Sequence, residues 1–420
     1  MIYEIIIIGA GPSGLCMSYF FNRYSVSHLV LEKGDIGETW RTQRWDHFKM
    51  VTPDKMNCLP GMSVSDGDKF GTAKEFVSSL KQLAEDNELP VKEHSVVKDV
   101  KKQENIYVIY ALENKNTVVY EAKNMVVASG FQHNMFIPPF FEKIHPRISQ
   151  IHSSQYKNAG SLPKGAVLVV GAGQSGIQIA EELLLAGRTV FLSTSKVGRV
   201  PRMYRGRDIT DWMIEMGFYE TRSEELSDTS VMKVRQPQIE WEGGISFQTL
   251  HSEGVKLMGT LVNAGPTKVF AKDNAAEHIK YADEYSANIK RIIDEYIGKY
   301  DLQYYPVEEE KKSVPATVES PCLSLNLFKN DINTIIWATG FVQETAYIKN
   351  ILKKHKSIRI KDGFADIEGL YFIGLPWLTK RKSGIIAGII EDAEYLAESI
   401  VNKTVSKDEI KINHAERAAE

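Results

Sequence analysis

Two short glycine-rich segments carry the most legible chemistry in this 420-residue sequence. Gly9-Ala10-Gly11-Pro12-Ser13-Gly14 and Gly171-Ala172-Gly173-Gln174-Ser175-Gly176 share the spacing G-x-G-x-x-G. That spacing suits a dinucleotide diphosphate. The first glycine permits a tight turn, the second lets backbone approach the phosphates, and the third lets a helix pack close to its strand. The phosphates then meet free N–H groups and the positive end of the helix dipole. Downstream the two segments differ. After the first, His28-Leu29-Val30-Leu31 ends in Glu32, with Lys33 beside it. A carboxylate there accepts hydrogen bonds from a ribose 2′-hydroxyl and repels a 2′-phosphate. After the second, Thr189-Val190-Phe191-Leu192 runs into Ser193-Thr194-Ser195-Lys196, with Arg199 and Arg202 beyond. Hydroxyls and cations favour an extra phosphate on the ribose. The first site therefore reads as one for an unphosphorylated adenosine, most simply FAD, and the second as one for NADPH. A solvated charged loop is the alternative for Lys196 and Arg199.

Each motif needs a strand to deliver it and a helix to receive it. The β-branched run Ile5-Ile6-Ile7-Ile8 precedes the first and the helix-like Leu15 to Phe20 follows; Val167 to Val170 and Ile177 to Leu184 do the same for the second. Ile106 to Tyr110 and Thr117 to Tyr120, around Glu113-Asn114-Lys115-Asn116, predict a β-hairpin within Val96 to Gly130. Pro138-Pro139 and Ser161-Leu162-Pro163 bracket a linker. Asp273-Asn274 can cap a long helix from Ala275 to Ile297, with Ile279, Ala282, Ile289 and Ile293 on its packed face. Pro306 to Pro321 reads as a charged loop before a closing strand at Thr334 to Trp337, and the tail from Ser406 as polar and frayed. The four arginines between Arg199 and Arg207 are either a loop paired with Asp208 and Asp211 or an anchor for cofactor or substrate.

Composition narrows the classes. The length predicts two to four domains. Hydrophobic residues at 43% and charged residues at 25% exclude disordered and fibrous chains. The net charge of −3 lacks the basic excess of a nucleic-acid binder. Cys16, Cys58 and Cys322 fit neither a disulfide framework nor a zinc site, and no C-x-x-C is present for dithiol chemistry. A cytoplasmic protein is expected, without a membrane span, because Ile5 to Ile8 is cut short by Gly9, and without a signal peptide, because Glu4 precedes that run. The ten histidines show no metal-like spacing, so no metal is expected, and His47, His133 and His152 read as structural.

Further segments carry a resemblance. Gly37-Glu38-Thr39-Trp40 is similar to the G-x-x-W turn of the class B flavin monooxygenases, the group of flavin-containing, YUCCA-type and Baeyer-Villiger enzymes. Val127-Ala128-Ser129-Gly130 and Trp337-Ala338-Thr339-Gly340-Phe341 resemble that group's paired A-T-G crossings, with Ser129 in place of Thr. Leu370 to Leu375, followed by Gly384 to Ala393, resembles the stretch that re-enters the FAD domain. Leu59-Pro60-Gly61, Arg199 to Asp208 and Gly374-Leu375-Pro376-Trp377 resemble a bacterial set within the group.

The resemblance implies an α/β fold of two dinucleotide-binding, Rossmann-like domains, the NADP domain inserted into the FAD domain. Residues 1–160 and 343–420 would bind FAD, and 161–342 NADP, with a helical insert. It adds Gly37, Thr39, Trp40, Val97, Ser129, Gly130 and Gly374 to the FAD residues, and Ala338, Thr339 and Gly340 to the NADP residues. The implied activity is an NADPH-dependent monooxygenase whose reduced flavin captures O2 as a C4a-(hydro)peroxide and oxygenates a small organic substrate, with homodimerisation left open. Two features depart from the group. Of the fingerprint F-x-G-x-x-x-H-x-x-x-[YFD], only His152 to Tyr156 survives. The stretch where the group places an Asn near the flavin is Lys49 to Lys55, with no Asn before Asn57. Thr52 or Asp54 is the candidate there, and turn chemistry around Pro53 is the alternative. An NADPH oxidase or flavin oxidoreductase releasing H2O2, and a non-enzymatic nucleotide-sensing flavoprotein, are the competing functions.

Overall fold

A computed structural model describes the chain apart from residues 63–66, 133, 228–231, 233–236, 241–245, 303–304, 307–321, 344, 355–357 and 405–420. His133, most of the charged loop before Pro321 and the polar tail thus lie outside the described residues. Two sheets organise the rest, the first mixed around a parallel centre and the second wholly parallel. In the first, the strand Ile2–Ile8 lies between His28–Leu31 and Asn116–Val127, both parallel to it. Its Ile5, Ile6 and Ile7 are wholly buried. Burial of each such side chain is worth about 1.5–3 kcal/mol, which is why an unbroken aliphatic run, rather than an alternating one, marks this central strand. Leu370–Phe372 joins the far side of Asn116–Val127 in parallel, so the two ends of the chain share one sheet.

The expected hairpin is present and larger than its sequence pattern suggests. Val96–Gln103, Ile106–Glu113 and Asn116–Val127 form a three-stranded antiparallel meander. Its second turn places Asn114 and Lys115 at φ of 46° and 70°, the left-handed pair a two-residue hairpin turn requires.

The second sheet runs in the order 256–258, 190–193, 166–170, 332–337, 149–152, all parallel. It begins earlier than the expected boundary at residue 160, because Ser149–His152 pairs with Ile332–Trp337. The long helix spans Ala275–Lys299 and buries Ile279, Ala282, Ile289 and Ile293 as its periodicity predicts. Asn274 stands at its N-cap, but its side chain accepts from Thr260 N at 2.9 Å and leaves the helix N–H groups uncapped. Among the described residues no helix is long and apolar enough to cross a membrane.

Candidate nucleotide cradles and active site

The first glycine turn closes by contact with backbone. Gly9, at φ +108°, leaves no room for a side chain: a Cβ there would lie 2.8 Å from Ala128 O. A Cβ on Gly14 would lie 1.8 Å from Gly9 O, so the helix Pro12–Arg23 can start only where its third glycine stands. Gly11, at the N-cap, makes no side-chain cap, and a Cβ on it would meet nothing within 4 Å. The turn therefore offers open space beside uncapped N–H groups, the shape and polarity a diphosphate fits. At the adjacent corner Glu32 accepts Ala10 N–H at 2.7 Å and Gly34 N–H at 3.0 Å. Burial raises its pKa above the ordinary carboxylate range, and those two N–H groups oppose the shift.

This corner opens into a cavity of about 450 Å³. Gly9, Gly11, Pro12, Ser13, Glu32, Lys33, Gly37, Thr39, Trp40, Val97, Ser129, Gly130 and Gly374 all line it. Gly14 does not, being packed behind Gly9. Residues far apart in sequence meet here for definite reasons. Gly37 N donates to Ala10 O at 3.0 Å, setting the G-x-x-W turn against the glycine turn. Gly374 passes so close to Ser13 that a Cβ would lie 2.5 Å from its Oγ. Gly384, Ile386 and Ile389, from the re-entering stretch, also line the cavity, and so do Arg44, Phe131, Gln132 and Tyr347, which were not among the expected residues. Arg44 donates to Gln132 Oε1 at 2.9 Å and Gln43 O at 3.1 Å and stacks 4.6 Å over Trp40. Among the described residues no carboxylate pairs with it, and burial alone pulls its pKa down to about 10. Its spacing from Trp40 was the available signal.

The second cradle repeats the first in detail. A Cβ on Gly171 would lie 2.4 Å from Ala338 O, and one on Gly176 1.9 Å from Gly171 O. Gly173, at the N-cap of Gln174–Leu185, again makes no side-chain cap. The corner is rebuilt without charge. The registers Ile8↔Leu31 and Val170↔Ser193 correspond, so Thr194 takes the position of Glu32. Thr194 is buried, donating to Met258 O at 3.0 Å and bonded to His278 Nδ1 at 2.9 Å. Ser195, one residue further, accepts the Ala172 N–H at 3.2 Å. Ser193 turns inward to Gly259 O at 2.9 Å. Lys196 lies 4.8 Å over the Tyr281 ring. Arg199 is spent on Glu240 and on Asp283 at 2.8 Å. Gln174 is held by both backbone groups of Ile239, at 3.0 and 3.2 Å, and Ser175 is exposed. Ala338 N donates to Val170 O at 2.8 Å, Thr339 is bonded to Phe136 O, and Gly340 O meets His152 Nε2 at 3.0 Å.

Other expectations resolve into structure. Thr52 donates to Asn57 Oδ1 at 2.7 Å, Asp54 Oδ1 accepts Gly71 N–H at 3.1 Å, and neither lines the cavity. The geometry is that of a turn around Pro53. The surviving half of the fingerprint is a brace: His152 holds Gly340 O, and Tyr156 donates to Glu182 at 2.8 Å. All four clustered arginines meet acids, Arg202 on Asp208, Arg205 on Asp294 and Arg207 on Glu215, while Asp211 pairs with Lys55. Arg202 also donates to Val51 O at 2.8 Å, tying the insert to the first half of the chain. The three cysteines are unpaired thiols, and among the described residues no His, Cys, Asp and Glu cluster suits a metal.

Residues 6–240 match the pyridine nucleotide-disulphide oxidoreductase family. The chain belongs to that family. Within the pyridine nucleotide-disulphide oxidoreductases it is 30% identical over 403 residues to the uncharacterized oxidoreductase CzcO of Bacillus subtilis (strain 168), covering 95% of this chain and 99% of that one. It is 26% identical to the probable indole-3-pyruvate monooxygenase YUCCA10 of Arabidopsis thaliana, across 94% of this chain and 96% of that one. In fold it resembles a mutant flavin monooxygenase from Stenotrophomonas maltophilia, with a TM-score of 0.67, 17% identity, and coverage of 96% of this chain and 100% of the other. The resemblance to class B flavin monooxygenases is borne out over nearly the whole length, as is the α/β fold of Rossmann type.

Proposed function

We propose that the protein is an NADPH-dependent flavin monooxygenase, with FAD in the Glu32 cavity and NADPH in the Ser195 cradle. One observation carries the reading: two matching glycine turns end in opposite corners, a carboxylate bonded to Ala10 N–H in one and a hydroxyl bonded to Ala172 N–H in the other. The first excludes a 2′-phosphate by repulsion, and the second removes that repulsion. Relatives named as monooxygenases along most of the chain support the assignment of reaction type.

FAD, when bound, would supply the redox chemistry, hydride acceptance from NADPH and transfer of one oxygen atom of O2 to the substrate with the other leaving as water. The chain binds, orients and shields. The N–H groups of Gly11, Ser13 and Gly14 take the diphosphate, and Glu32 takes the ribose. Trp40, Ile386 and Ile389 present apolar walls that exclude water, and Arg44 brings a cation to the cavity. Ser195 and Lys196 face the extra phosphate of NADPH. No nucleophile is required of the protein. Cys16 is buried, and burial together with nearby Glu394 and Asp392 pushes its thiol pKa far up, which argues against thiol chemistry there.

Purified protein should be yellow, and a preparation that takes up no FAD would reject the reading. NADPH consumption and H2O2 release should be measured across amines, sulfides, ketones and α-keto acids. At least one compound should suppress H2O2 formation and appear as its oxygenated product. One H2O2 per NADPH with every compound would make the protein an oxidase.

A further inference from the structure

Lys380 forms an isolated antiparallel bridge with Arg222, and the chain then turns, Ser383 N donating to Lys380 O at 3.0 Å. Arg381 N donates to Thr221 O at 2.9 Å, and Ser223 N donates to Thr379 O at 3.2 Å. Lys380 and Lys382 each pair with both Glu220 and Glu391. Two ammonium groups thereby occupy both nearby carboxylates.

Arg381, between the two lysines in sequence, has no carboxylate partner among the described residues. Its guanidinium lies 4.0 Å from the ring centroid of Phe218 and 5.1 Å from that of Trp377. Its Nε is fully enclosed and bonded to nothing, and among the described residues no acceptor meets any nitrogen of the guanidinium. Burial lowers its pKa, with no carboxylate opposing the shift. The Tyr285 hydroxyl, close enough for its charge to couple to Arg381, likewise has no partner among the described residues. An enclosed donor left unpaired requires an explanation. Position supplies one. Gly374, before Trp377, and Gly384 and Ile386, after Arg381, all line the FAD cavity.

Resting on the monooxygenase reading, we propose that Arg381, set against the rings of Phe218 and Trp377, binds the carboxylate of an organic-acid substrate whose apolar body packs on the two rings. A guanidinium presents a planar fork matched to both carboxylate oxygens, and stacking on aromatic faces fixes its plane in advance. The carboxylate also supplies the counter-charge that this arginine lacks.

The test is a binding titration of the full-length, FAD-loaded protein, read by flavin absorbance and tryptophan fluorescence without turnover. The probes are benzoate, phenylacetate and phenylpyruvate, each against its methyl ester. The wild type should prefer acid over ester, and Arg381→Met should weaken acid binding roughly 10- to 100-fold, the loss of a charge-assisted hydrogen-bonded pair, with ester binding unchanged. Equal affinity for acids and esters in the wild type overturns the proposal. So does an Arg381→Met variant that weakens NADPH instead of the acids. Should the methionine variant lose FAD, Arg381→Lys decides: reduced acid affinity at unchanged ester affinity supports the site, and unchanged acid affinity overturns it. Acid binding without oxygenation would sink the monooxygenase reading and leave this site standing; oxygenation of neutral compounds without acid preference would do the reverse.

Discussion

Ser195 accepts the Ala172 N–H at 3.2 Å, the same contact that the Glu32 carboxylate makes with Ala10 at 2.7 Å in the first cradle. A hydroxyl thus keeps the turn closed where a carboxylate would carry a charge. Ser195→Glu should restore the charge and raise KM for NADPH about tenfold or more while sparing NADH. Lys196→Ala should weaken NADPH more than NADH. Arg199→Ala should behave differently, because its partners are Glu240 and Asp283: both cofactors are affected alike, and stability falls by about 3 kcal/mol as two acids lose their cation. Steady-state kinetics with both nucleotides and denaturant midpoints separate these outcomes. Equal losses for the two nucleotides in Lys196→Ala would place the 2′-phosphate elsewhere.

The third glycines discriminate between the cradles. Gly14→Ala would set a methyl against Gly9 O, and Gly176→Ala one against Gly171 O. The first variant should purify without flavin. The second should remain yellow and lose reduction by NADPH, measured as anaerobic bleaching of the flavin. Loss of flavin from Gly176→Ala would contradict the division of the two sites.

Glu32 links pH to stability with a definite sign. Its folded pKa lies above the ordinary value because burial disfavours the carboxylate. Its contribution to the stability of the FAD-free protein is therefore fully present below about pH 4.5 and falls as pH rises through the raised value. Urea midpoints of the FAD-free wild type should show this fall as pH rises above the ordinary carboxylate range, and Glu32→Gln should remove it. The same substitution should weaken FAD retention by about 1–3 kcal/mol, the cost of a charge-assisted hydrogen bond. Parallel pH profiles for the two proteins would reject the link.

Thr52 and Asp54 are turn residues by geometry. Thr52→Val should cost about 1 kcal/mol through its lost bond to Asn57 and leave the rate of flavin reduction unchanged. Thermal unfolding and stopped-flow reduction check both parts. A slowed reduction would return Thr52 to the chemistry.

Much of this protein was legible before folding because the relevant constraints are local. A glycine that must clear the carbonyl five residues before it, and an aliphatic run buried on both faces, are properties of short segments. Hence the strands, their glycine turns and the opposite corners at Glu32 and Ser195 could be read from residue type and spacing. The cavity residues reached by long connections were harder. Gly374, Val97 and the stretch from Gly384 came through resemblance, whereas Arg44 had only its spacing from Trp40 to mark it. For charged side chains the sequence supplied a cluster without its partners. Asp283, Asp294 and Glu240 lie about 40 to 90 positions from the arginines they neutralise, so Arg199 read as a phosphate ligand.

The sequence by itself determined the paired cradles and which of them repels a 2′-phosphate, since backbone clearance and local charge decide both. Only the tertiary structure decided which cations remain available. Arg199 is consumed by Asp283 and Glu240, whereas among the described residues Arg381 is left unpaired, the nearby carboxylates Glu220 and Glu391 being held by its neighbours Lys380 and Lys382. Charge is a property of composition, but neutralisation depends on distance, and distance is set when the chain folds.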